Sequence, residues 1–171
     1  IYDRDFSAVS MCSGEEYDWD AIFVDAQWLH ISGITLAISE TAAHAAILAA
    51  GKAQAAGVKV SCDLNFRKNL WRWRSGSDAR SLARSVMPDF LENVNVIIGN
   101  EEDAADVLDI HAGDTDVHSG SLEIAHYPDV ARQIAQRFNN VDQVAITLRE
   151  SISATHNNCL LYTSPSPRDI R

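Results

Sequence analysis

The sequence has no CxxC pair and no cluster of cysteine with histidine. Its three cysteines, Cys12, Cys62 and Cys159, are far apart and odd in number. That excludes a zinc ribbon, argues against a disulfide framework and leads us to expect a reducing compartment, the cytoplasm. No HExxH, no G-x-S-x-G elbow and no Walker loop occurs, so the common metalloprotease, serine-hydrolase and P-loop chemistries are not signalled. The six histidines show no paired spacing. "DTDVHSG" (114–120) resembles a calcium loop, but its Gly and the later Glu123 are out of register with the twelve-residue pattern. No apolar run is long enough to cross a bilayer. Positive charge is scarce: 14 Lys and Arg stand against 24 Asp and Glu, a net charge of −10. A general nucleic-acid binder is excluded on that balance, although a local basic pocket for a small anion is not.

What is present is ordinary for one globular domain. Of the 171 residues, 46% are hydrophobic and 22% charged. The chain alternates strand-like and helix-like stretches. "QWLHISGI" (27–34), "VKVSCDLN" (58–65), "NVIIG" (95–99) and "QVAITL" (143–148) read as strands. The segments 39–57, 77–94, 101–110 and 127–141 read as helices. Ser39 and Thr41 are N-cap candidates, Gly57 is a natural stop, and Pro88 marks a break or new start. The polar stretch 111–126 reads as a surface excursion, and "DFSAVSMC" (5–12) as a further strand. Trp28, Trp71 and Trp73 are expected to serve packing. Alternation of this kind predicts a mainly parallel sheet with helices on both faces.

In such sheets ligands lie outside the C-terminal ends of the strands. The residues there are Gly33-Ile34-Thr35, Asp63-Asn65-Arg67, Gly99-Asn100-Glu101-Glu102-Asp103 and Thr147-Arg149-Glu150. Asp63, Asn65 and Arg67 alternate, so a continued strand would put them on one side. Each group alone has a plain structural reading. Asp63 and Asn65 can satisfy loop backbone, and Arg67 can pair with a surface acid. The acids at 101–103 favour a helix N-terminus without any metal. Four strand ends in agreement point to a site.

"IYDRDFSA", "HISGITLAIS", "VSCDLNFRKNLW", "IIGNEEDAADVL" and "VAITLRES", in that order, resemble the PfkB, or ribokinase, family of carbohydrate kinases, most closely its 2-dehydro-3-deoxygluconate kinases. The resemblance implies a three-layer α/β/α fold, here incomplete at both ends. It also implies transfer of the γ-phosphate of ATP, with Mg²⁺, to a hydroxyl of a sugar acid. Tyr2 and Arg4 match a Tyr-x-Arg pair that holds the sugar acid. Gly33 and Ile34 match backbone that lies against the sugar. Arg67 is implied to neutralise a carboxylate or phosphate, with Asp63 and Asn65 supporting it. Asn100, Thr147 and Arg149 fall where the family binds nucleotide phosphates. Glu102 and Asp103 fall in an Asn-x-x-Glu motif that acts through Mg²⁺ and its waters, here with Asp at the fourth place. The resemblance also implies a homo-oligomer for the full-length protein. A fructokinase-type or 5-dehydro-2-deoxygluconokinase-type substrate, or a non-catalytic sugar- or nucleotide-binding domain, stays open.

The family's catalytic base lies in a Gly-x-Gly-Asp motif that this chain lacks, so the chain alone is expected to be inactive. Residues 159–169, "CLLYTSPSPRD", match one reading frame of a transposase adapter used in sequencing libraries. The expectation is a partial kinase domain over 1–158 and a non-native, adapter-derived tail over 159–171, with no helical or strand period in 159–169.

Overall fold

The computed structural model describes residues 6–111, 123–153 and 156–165. Two short helices, α1 (Ala8–Met11) and α2 (Trp19–Phe23), precede β1 (Trp28–Ser32) and α3 (Gly33–Ile38). There follow α4 (Glu40–Ala55), β2 (Lys59–Asp63), α5 (Ala79–Leu91), β3 (Val96–Gly99) and α6 (Glu101–Leu108). The chain closes with α7 (Glu123–Arg137), β4 (Gln143–Ser153) and β5 (His156–Pro165).

Side-chain caps define where these helices start. Ser39 Oγ accepts from the N–H of Ala42 at 3.0 Å, so α4 begins at the expected cap. Its stop is Gly57, whose φ of 75° is a left-handed conformation that glycine adopts without strain. Asp78 starts α5 by accepting from the N–H groups of Arg80 and Ser81 at 3.0 and 3.1 Å, and from Ser81 Oγ at 2.6 Å. The Ser81 hydroxyl, then the backbone donors, hold the Asp78 carboxyl below its ordinary range. A depressed folded-state value means that the cap stabilises above the unfolded carboxylate range, and that this is lost as pH falls through the lowered value. Asp78→Ala should therefore lower the urea midpoint at neutral pH and lose most of that effect in strong acid. An equal loss at both pH values would contradict the cap.

Strands β1, β2, β3 and β4 are parallel and adjacent in sequence order, and β5 is antiparallel to β4. A strand order that never reverses, combined with right-handed crossovers, places every connecting helix on the same face. Val60, Cys62, Ile97, Val144 and Ile146 form that face and are at most 2% exposed. They share one core with Leu36, Ala46, Leu82, Phe90, Val107 and Ile134 of the helices. The opposite face carries Trp28, which is 54% exposed. Trp28 Nε1 donates to Ser61 Oγ at 2.7 Å, and His30 Nδ1 lies 2.8 Å from the same oxygen.

Four local expectations change. The helix α5 runs through Pro88 without a break. The proline leaves the Arg84 carbonyl without its intrahelical donor, at about 3 kcal/mol. Burial of Leu82, Ala83, Val86, Met87, Phe90 and Leu91 on one helix face offsets that. Residues 8–11 form α1 rather than a strand, docked where Ser39 Oγ donates to the Ser10 carbonyl at 2.7 Å. The expected helix 127–141 starts earlier, at Glu123, and ends at Arg137. The fourth is β5, which includes Cys159–Pro165 of the tail, a stretch with no strand period in its sequence. Strand pairing needs only backbone groups, which the open edge of β4 offers, and the run Leu160–Thr163 has good strand propensity. The packing expectation stands for Trp71, which is buried at 2%, and for Trp73, whose Nε1 donates to the Leu36 carbonyl at 3.2 Å. The calcium-like stretch 114–120 lies outside the described residues, as does most of the 111–126 excursion.

Candidate active site at the strand ends

The sheet register brings the expected groups to one edge. Ser32, the last residue of β1, pairs with Asp63, the last of β2, and Asp63 pairs with Ile98. Gly99, at the end of β3, pairs with Ile146. Gly33, Asp63, Asn100 and Thr147 therefore lie along one end of the parallel sheet.

Gly33 is where β1 becomes α3. A Cβ at Gly33 would meet the Leu64 carbonyl oxygen at 2.0 Å, so only glycine lets the start of α3 lie against the end of β2. Ser32 joins the two as well. Its Oγ accepts from the Ile34 N–H at 3.3 Å and from Asn65 Nδ2 at 3.4 Å. Ser32 was not among the expected site residues. Its signal was a Ser-Gly at a strand–helix junction, an N-cap pattern.

The strand β2 stops at Asp63. Asn65 has φ of 38°, in the left-handed region that asparagine tolerates better than most residues. The alternation expected for Asp63, Asn65 and Arg67 is therefore broken by a turn. Asn65 reaches Ser32, not Arg67. Arg67 is exposed on that turn.

The neighbouring strand end is tightly bonded. Asn100 Oδ1 accepts from the Asp103 N–H at 2.7 Å, and Asp103 Oδ2 accepts from the Asn100 N–H at 3.4 Å. This is a reciprocal capping box at the start of α6. Asp103 Oδ1 also accepts from the N–H of Phe66 at 2.8 Å. Burial raises the Asp103 carboxyl above its ordinary range and the charge of Asp63 adds to the rise. The Phe66 and Asn100 donors and the Arg67 guanidinium pull it back. Asp63, Arg67 and Asp103 thus form one electrostatic neighbourhood. Beneath it, Cys62 is fully buried, and burial, then Asp63, pushes its thiol far up. It is a core residue and not a nucleophile.

Thr147 Oγ1 donates to the Gly99 carbonyl at 3.3 Å. It does not end its strand as expected, because β4 continues to Ser153. Beyond Ile146 it no longer pairs with β3 and runs on as a hairpin with β5. Arg149 lies in that hairpin, and its side chain is outside the described residues. Tyr2 and Arg4 are also outside them.

A bare divalent metal needs several protein oxygens, and the described residues hold no group of three or more His, Cys, Asp or Glu that could grip one. What fits here is a hydrated magnesium ion, which keeps most of its waters and takes few carboxylates. Glu102 is exposed beside the capping box and is available for such a contact. No helix of the described residues is long and apolar enough to cross a membrane.

No family profile matches the sequence. It is 32% identical over 165 residues to the 2-dehydro-3-deoxygalactonokinase of Haloferax volcanii, covering 96% of this chain and 45% of that one. The crystal structure of 2-dehydro-3-deoxygluconokinase from Thermotoga maritima superposes with a TM-score of 0.80 at 38% identity, over 96% of this chain and 46% of that one. A PfkB family carbohydrate kinase from Listeria grayi shares the fold, with a TM-score of 0.71 at 22% identity, over 97% of this chain and 50% of that one. The chain spans about half the length of these relatives. Over nearly all its length the chain is thus similar to two sugar-acid kinases, and it shares its fold with a PfkB family carbohydrate kinase.

Proposed function

We infer that the chain is the part of a sugar-acid kinase that carries one wall of its active site, with 2-dehydro-3-deoxy-D-gluconate as substrate. The observation that carries this reading is the meeting of Gly33, Asp63, Arg67, Asn100 and Asp103 at one end of a parallel sheet, in a chain whose relatives are kinases of this substrate class. Mg-ATP, when bound, supplies the phosphoryl group and the metal charge. The protein's task is then positioning and charge neutralisation. Arg67 faces the transferring phosphate or the substrate carboxylate, with the two parallel hydrogen bonds that a guanidinium fork offers. Gly33 and Ile34 present backbone to the sugar. Tyr2 and Arg4 hold its carboxylate. Asn100, Thr147 and Arg149 line the nucleotide phosphates, and Glu102 faces the hydration shell of magnesium.

The general base belongs to a Gly-x-Gly-Asp motif elsewhere in the complete protein, which acts in the cytoplasm as a homo-oligomer. Residues 1–158 are the kinase part, and 159–171 are encoded by adapter. Resequencing the locus across the codons for Asn157–Cys159 checks that boundary: the tail should vanish, and finding it in an independent copy would contradict the assignment. Specificity is tested by Arg4→Ala in the complete protein. We expect kcat/KM for the sugar acid to fall about 100-fold, as for loss of a charged hydrogen-bonding partner, with little change for fructose. Equal losses on both substrates would remove Arg4 from acid recognition.

A further inference from the structure

Of the two acids assigned to the cation, only one is open to it. Asp103 Oδ1 accepts from the Phe66 N–H at 2.8 Å, Oδ2 accepts from the Asn100 N–H at 3.4 Å, and its own N–H is held by Asn100 Oδ1 at 2.7 Å. The first of these bonds joins two separate segments, the turn after β2 and the first turn of α6, and the other two close the capping box at the start of α6. Phe66 immediately precedes Arg67. Leu64, on the same turn, is tied to the same strand end by its N–H to the Ile98 carbonyl at 2.8 Å. On the turn itself Asn65 is left-handed, its Nδ2 donates to Ser32 Oγ at 3.4 Å, and the Leu70 N–H donates to the Arg67 carbonyl at 2.8 Å. Glu102, one residue before Asp103, is exposed.

We propose that Asp103 is a positioning residue: it tethers the Arg67-bearing turn to the start of α6, and leaves Glu102 as the acid that faces a hydrated cation. The shorter side chain at this fourth place suits the task. Aspartate closes the capping box and still reaches Phe66, whereas glutamate would carry the carboxylate one methylene further. The role of Arg67 rests on the kinase reading above, but the tether itself does not.

The tether needs an acceptor oxygen and no charge, and a cation-facing acid needs its charge. Asp103→Asn keeps an acceptor, and Asp103→Ala removes it. In the ¹⁵N-labelled chain, amide exchange at Phe66 should speed up about tenfold or more in Asp103→Ala, as loss of one net hydrogen bond implies. It should stay near wild type in Asp103→Asn and in Glu102→Gln. Mg-ATP titrations should show Asp103→Ala weakening binding about tenfold, Asp103→Asn changing it little, and Glu102→Gln weakening its Mg²⁺ dependence. In an Arg67→Ala background, Asp103→Ala should add nothing, because neighbouring groups that act as one unit are non-additive. Unchanged Phe66 exchange in Asp103→Ala would overturn the tether. So would an Asp103→Asn variant that loses its Mg²⁺ dependence as fully as Asp103→Ala. Faster Phe66 exchange with Mg-ATP affinity indifferent to both Asp103 and Arg67 would keep the tether and remove Arg67 from the phosphate site.

Discussion

Replacing Gly33 by alanine should cost roughly 3 kcal/mol or more of folding stability, at the upper end of what overpacking does. The added Cβ would sit 2.0 Å from the Leu64 carbonyl oxygen and 3.0 Å from its carbon. Neither side can yield cheaply. Leu64 is 1% exposed, and its N–H is bonded to the Ile98 carbonyl of the next strand. On the other side, Gly33 is itself buried, at the start of a helix that holds Leu36 and Ala37 at 0% exposure. Relief therefore requires separating β1 and α3 from β2, which opens the candidate site at its centre. Two other glycines calibrate the effect. At Gly99 the new Cβ meets Leu64 Cδ1 at 3.0 Å, a side-chain end that can shift, so the cost should be about 1 kcal/mol. Gly51 lies inside α4 with its nearest neighbour, Asn93 Oδ1, at 4.0 Å. Alanine there should stabilise by about 0.5–1 kcal/mol, since glycine lowers helix propensity. Urea midpoints in the order Gly51→Ala, wild type, Gly99→Ala, Gly33→Ala, with unchanged slopes, are the expected result. A Gly33→Ala midpoint near wild type would refute the close approach of α3 to β2.

The second large effect concerns Arg67. In the complete kinase, Arg67→Ala should lower kcat/KM by about 10²–10³, the range for removal of one preorganised charge-stabilising group. Arg67→Lys should recover only part, because a lysine ammonium cannot reproduce the guanidinium fork. If Arg67 mainly neutralises the transferring phosphate, kcat falls. If it mainly holds the substrate carboxylate, KM rises with kcat little changed. Arg67 is exposed on the turn, so the urea midpoint of Arg67→Ala should match wild type. Steady-state kinetics near wild type would take Arg67 out of the site.

The strand positions and most helix starts could be read from the sequence because both depend on local chemistry. Ser39 before an alanine-rich run, Gly57 after it and Asn100 before three acids are cap and stop signals within a few residues of the bonds they make. The meeting of four strand ends was legible for a topological reason, since parallel strands joined by crossovers put all their C-terminal ends on one edge. What was not legible depended on distant partners. Pro88 reads as a breaker until the burial of Met87 and Phe90 beside it is known. Asn65 reads as a strand residue until its backbone turns left-handed under the carbonyl ladder of β3. The division of work between Glu102 and Asp103 was hidden because it turns on the Phe66 N–H, 37 residues away in the chain.

Phosphoryl transfer to a sugar acid can be assayed in the complete gene product containing this chain. Purified protein with Mg-ATP would be offered 2-dehydro-3-deoxy-D-gluconate, fructose and no sugar, with ADP release and the phosphorylated product both measured. The expected result is ADP release matched by a phosphorylated sugar acid, with fructose a much poorer substrate. A folded protein that binds ATP yet phosphorylates none of them, or prefers fructose, would contradict it.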